Sequence, residues 1–130
     1  MLSDGERRLA ILTDLGHPAS AVIEMLSRLD AIVLEFNHDL DMLRQGPYSN
    51  ALKARIESDL GHLSNSQSVQ FLQSLDRTYL TRVVAAHLSQ INNRPHLARQ
   101  AIGCLHLPVH VDCDIADQSL GLDWRTVGPL

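Results

Sequence analysis

The sequence predicts an all-α fold: a small helical bundle of two long antiparallel helices with a short extended C-terminal segment. Three observations predict it. Apolar residues recur at Val22, Leu26, Leu29, Val33, Phe36, Leu40 and Leu43 in alternating steps of four and three, the spacing that lines one helix face. A second pattern runs through Val69, Leu72, Leu75, Tyr79, Val83 and Ala86, with Leu80, Val84, Leu88 and Ile91 beside it. The composition is 45% hydrophobic but only 4% aromatic, which asks for an aliphatic core. The 130 residues fit one domain, 1–130, with 104–130 as a dimerisation or partner-binding tail.

In order, Ser3 and Glu6 have capping-box spacing ahead of Leu9, Ile11, Leu12 and Leu15, which predicts a helix over 4–15 ended by Gly16. Pro18 suits the first turn of the next helix, which runs over 19–45 until Gly46-Pro47 stops it. Such a helix would reach roughly 40 Å, and its apolar seam needs another helix to cover it, from this chain or from a second copy. Ser49 or Asn50 caps a short helix over 51–60, closed by Gly61. The polar stretch 61–68 leads into the second long helix, 66–92, which ends at Asn92-Asn93. Pro95 restarts a short helix over 95–102, ended by Gly103. The expected core holds Leu12, Leu15, Val22, Leu26, Leu29, Val33, Phe36, Leu40, Val69, Leu72, Leu75, Tyr79, Val83, Leu88 and Ile91. A charge placed in the seam by Leu29→Asp or Phe36→Asp should cause unfolding or dissociation.

Residues 104–113 alternate strictly, with Leu105, Leu107, Val109, Val111 and Cys113 on one side, an extended signature. Pro108 places this segment at an edge or leaves it merely extended; no second strand is evident, so either a helix covers it or the same segment of a second subunit pairs with it. Pairing with the same segment of a second subunit would give a symmetric dimer. Trp124, Val127 and Leu130 are candidates to fold back onto the bundle.

The formal charge is -4, which argues mildly against broad capture of nucleic acid. The balance is uneven, however: residues 46–99 hold six bases against three acids. Nothing resembles a secretory leader, no apolar run is long enough to span a membrane, and two cysteines make no disulfide framework. A reducing cytoplasm is the expected location.

Three functional readings follow. The leading one is a non-enzymatic regulatory, adaptor or chaperone-like protein that binds another protein, as a homodimer, through Leu29, Val33, Phe36, Leu40, Leu105, Leu107, Val109 and Val111. The second is a small DNA-binding transcription regulator using basic helices in 77–99, with Arg77, Arg82, Arg94 and Arg99. The third is a metal-binding protein using Cys104, His106, His110 and Cys113, whose thiolates and imidazoles suit zinc; otherwise no cofactor is expected. Glu35 and His38 have the i, i+3 relation of helical di-iron sites, but the other long helix supplies no matching pair, so these acids read as a solvated helix face. His17, His38, His62 and His87 read as isolated, and His87, among Val84, Ala85 and Leu88, as partly buried rather than reactive.

Overall fold

The computed structural model describes residues 1–128; Leu130, offered above as a packing residue, lies outside them. The fold is mixed α/β. In chain order the elements are β1 (Leu2–Ser3), β2 (Arg8–Leu12), α1 (Ser20–Met25), β3 (Ala31–Glu35), α2 (Leu40–Gln45), α3 (Asn50–Ile56), α4 (Asn65–Ser74), β4 (Arg82–Ala86), α5 (Pro95–Gly103) and β5 (Asp112–Ile115). The five strands form one sheet in the order β1-β2-β3-β4-β5. β1 pairs antiparallel with β2, and every other neighbouring pair is parallel.

This corrects the all-α bundle. The supposed helix over 19–45 is helix, strand and helix in succession. Ala31-Ile32-Val33-Leu34 is a continuous apolar run with two β-branched residues, the composition of a strand buried on both faces. The preceding helix stops at Met25, and Arg28 then turns the chain toward β3 with a left-handed backbone, φ 59°. Asp30 then pins the start of β3 to β2: its carboxylate accepts from the Arg8 backbone N–H at 2.8 Å and pairs with the Arg7 guanidinium at 3.1 Å. The supposed helix over 66–92 divides in the same way, into α4, a turn, and the strand Arg82-Val83-Val84-Ala85-Ala86. The helix expected over 4–15 is instead the strand pair β1 and β2.

Residues that alternate along the strands face opposite sides of the sheet. Ala10, Ile32, Leu34, Phe36, Val83 and Ala85 belong to the buried core, which also takes in Leu26, Leu29, Phe71, Leu72, Ala98 and Ile102. Phe36, Ile32 and Leu34 are 0% exposed. Each parallel step runs to the adjacent strand in the same direction, a topology whose crossovers, if right-handed, lie on one face. The opposite face is more open: Ile11, level with Val33 and Val84 across the sheet, is exposed.

The segment 104–113 is not one long strand. It turns after α5, and only Asp112–Ile115 is extended, paired parallel with β4 of its own chain. Its ladder is therefore supplied within the chain. Arg82 anchors this edge through Asp114 at 2.6 Å and Asp112 at 2.8 Å. Arg125 adds a contact to Asp114 at 3.3 Å, which ties down part of the C-terminal stretch.

Beyond β3 the backbone leaves the sheet and is held by main-chain bonds, such as Asn37 N–H to the Leu63 carbonyl at 3.0 Å and Asp39 N–H to the Asn92 carbonyl at 2.8 Å, and by side chains. Asn93 Nδ2 donates to the Phe36 carbonyl at 2.8 Å and to Asn65 Oδ1 at 2.9 Å, and Asn65 Nδ2 donates back to Asn93 Oδ1 at 3.1 Å. Ser68 Oγ donates to the Glu35 carbonyl at 2.6 Å. These buried amides and hydroxyls satisfy main-chain groups that have no ladder partner. They also fix α4 and the loop before α5 around the end of the central strand.

Candidate metal centre

Three adjacent parallel strands end at the same edge of the sheet, the usual position of a site in open α/β folds. The chain leaving β2 carries Asp14, β3 ends in Glu35, and β4 is followed directly by His87. His62 joins them from the loop between α3 and α4. One donor atom from each of Asp14, Glu35, His62 and His87 lies within 4.8 Å of all the others.

Glu35 is the hub and is 0% exposed. Its Oε1 lies 2.6 Å from His87 Nδ1 and 2.8 Å from His62 Nδ1. An ionised carboxylate can only accept, so both rings present Nδ1–H to it. Its Oε2 accepts from the backbone N–H groups of Leu15 at 3.2 Å and Leu63 at 3.3 Å. A buried carboxylate is costly unless satisfied, and here four donors converge on it. The two imidazoles stand edge to face, with centroids 5.5 Å apart. Asp14 Oδ1 lies 3.8 Å from His62 Nδ1.

The local backbone is shaped to present these groups. Asp14 and His87 both adopt the left-handed region, at φ 58° and 55°, which non-glycine residues enter at a cost and which clusters at functional sites. Two glycines bring the loops together. A Cβ on Gly16 would stand 2.5 Å from the Asp59 backbone, and one on Gly61 would stand 2.1 Å from the Ile56 carbonyl oxygen. The Asp14 loop can therefore lie directly against the chain that carries His62. Beyond His62, Ser64 caps α4 in a reciprocal capping box with Gln67.

The donor set fits a divalent cation. Imidazole nitrogen with carboxylate oxygen suits zinc, manganese and other borderline metals. With Nδ1 of each ring held by Glu35, the arrangement has the carboxylate–histidine pairing that orients metal-binding imidazoles.

His38, close by in the chain, is different. It is 0% exposed, and neither ring nitrogen has a hydrogen-bond partner among the described residues. Burial pushes its pKa below the ordinary 6.5, opposed by Glu57 and Glu35 and assisted by His62. The folded protein therefore resists taking up a proton that the unfolded chain binds near pH 6.5. Stability is complete above that pH and is lost as pH falls below it, until the lower folded-state pKa is reached. We expect urea midpoints to drop between pH 7.5 and 5.5, with His38 contributing at most about 1.4 kcal/mol per pH unit. A His38→Leu variant should show a shallower drop; an unchanged profile would exclude His38 as the source.

The sites expected from sequence lie elsewhere. Leu29, Phe36, Leu105 and Val111 are buried in this chain's own core, Val33, Leu40 and Leu107 are half-buried, and Val109 is fully exposed. Arg82 lies in β4 and spends its guanidinium on Asp112 and Asp114. Arg94 bonds to the Gln90 and Asn93 carbonyls. Arg99 is exposed on α5 and Arg77 sits in the turn before β4, so 77–99 is not a pair of basic helices. Cys104 and His106 follow α5 on the surface, His110 is exposed in a turn, and Cys113 lies in β5, where burial pushes its thiol pKa up. None of these four belongs to the metal-capable group formed by the described residues. The residues that do form it were all visible as types. The available signal was position: an acid or histidine at the end of each short apolar run. Among the described residues, no helix is long and apolar enough to cross a membrane.

No protein-family model and no solved structure matches the chain. Curated proteins do. The chain is 34% identical over 99 residues to exodeoxyribonuclease YycJ of Bacillus anthracis, covering 76% of this chain and 38% of that protein. It is 31% identical over 120 residues to exodeoxyribonuclease WalJ of Streptococcus pneumoniae, covering 92% of this chain and 42% of that protein. The chain thus spans about two-fifths of the length of the curated relatives it matches. These matches overturn the non-enzymatic regulator, adaptor or chaperone reading, because the relatives are named as enzymes.

Proposed function

We propose that this chain carries the metal-binding half of a phosphodiester-hydrolysing site and acts on DNA as an exodeoxyribonuclease. The observation that carries the reading is the convergence of Asp14, Glu35 and His87, from the ends of three parallel strands, with His62 from the loop before α4. Its relatives' names supply the substrate class.

With Glu35 on Nδ1 of both rings, the imidazoles of His62 and His87 and the carboxylate of Asp14 are the groups left to hold the cation. A bound divalent ion would lower the pKa of a water and offset charge on a phosphate. Glu35 positions both imidazoles, and its burial keeps it from competing for solvent. Asp14, with its side chain 68% exposed, is the group most open to an incoming phosphodiester. This also reconciles an acidic chain with a polyanionic substrate: positive charge would come from the ion rather than from a basic surface.

The test uses untagged protein, stripped with chelator and reloaded with Mn²⁺ or Zn²⁺, against end-labelled linear DNA. Release of mononucleotides that stops with chelator and returns with metal is the expected result. Failure to retain metal would remove the reading.

A further inference from the structure

A cavity of about 590 Å³ opens beside the metal centre, with His62 and His87 in its wall. That is within the usual range for small-molecule sites. Among the described residues no Lys, Arg, Asp or Glu lines it, so it is not built for a phosphate. Half-buried Tyr48 and the α3 residues Leu52 and Ile56 supply an aromatic and aliphatic side, while Gln90, Asn92 and Gln118 supply amides. Asn92 itself is 2% exposed, and its side-chain oxygen is turned onto Gly46, where an added Cβ would stand 2.7 Å from it. A flat heterocycle edged with N–H groups suits the rest of this lining: its face meets an aromatic or aliphatic wall, and its edge meets the Gln90 and Gln118 amides.

We propose that this cavity receives the base and sugar of the terminal nucleotide, with Tyr48 as the stacking residue, while the adjoining phosphate lies at the metal centre. The proposal rests on the phosphodiesterase reading above and adds the group that determines how the strand end is gripped. Tyr48 comes from the turn between α2 and α3, and so can be changed without touching the four metal-capable residues.

The experiment measures binding of inorganic phosphate, 2-deoxyribose 5-phosphate and thymidine 5′-monophosphate to the Mn²⁺-loaded protein. The nucleotide should bind about tenfold or more tightly than the sugar phosphate, the margin that stacking on an aromatic supplies. Tyr48→Ala should erase that margin and leave Mn²⁺ and inorganic phosphate affinities unchanged, and Tyr48→Phe should retain it. Equal affinity for nucleotide and sugar phosphate, or a margin that survives Tyr48→Ala, overturns the pocket alone. Absence of any Mn²⁺-dependent phosphate binding overturns the phosphodiesterase reading, and the pocket with it.

Discussion

On the proposed function, replacing His87 with alanine is expected to cut metal-dependent DNA hydrolysis about a thousandfold, several kcal/mol of transition-state stabilisation. The ring stands 2.6 Å from Glu35 and is one of two imidazoles in the group. Its removal both deletes a donor and unbalances a buried carboxylate. Glu35→Gln should behave differently: the amide keeps the shape but can present N–H to rings that need an acceptor, so metal affinity should fall about 10- to 100-fold, the range for an orienting partner. Calorimetric titration with Mn²⁺ alongside turnover separates the two effects. Unchanged metal affinity in both variants would remove the centre from Asp14, Glu35, His62 and His87.

Phe36→Asp should prevent folding. Phe36 is 0% exposed and lies one residue beyond β3. Truncation to alanine alone typically costs about 3–5 kcal/mol, against a total stability of about 5–15 kcal/mol for a domain. An aspartate there adds an unpaired charge in the core. Phe36→Ala should give a lowered thermal midpoint, and Phe36→Asp no cooperative transition by circular dichroism. A Phe36→Asp protein that melts like the parent would contradict the packing described.

Seen in this light, Leu29 and Phe36 were recognisable from sequence as residues that must be buried, yet for a different reason. They fill the space between sheet and helices rather than a seam between two rods. A spacing of three and four persisted from Val22 to Leu43 because α1, β3 and α2 follow one another with short turns, and their apolar residues happen to interleave. What distinguishes the segments is local: the continuous apolar run at 31–34, with Ile32 and Val33 β-branched, and the left-handed Arg28 just before it. Short capped helices were easier to read. Ser49 caps α3 through the Leu52 N–H, and Pro95 opens α5. The site was hidden because its members are 14, 35, 62 and 87 in the chain, gathered by the parallel register of β2, β3 and β4 and by the loop that brings His62 across to Glu35.

Glu35 ends the same strand whose interior is Ile32 and Leu34 and whose next residue is Phe36. The hydrophobic interior and the carboxylate that holds both imidazoles thus share one stretch of backbone. Any loosening of the packing reaches the carboxylate within a residue or two, so weakened metal retention should report an unsettled interior well before the protein melts.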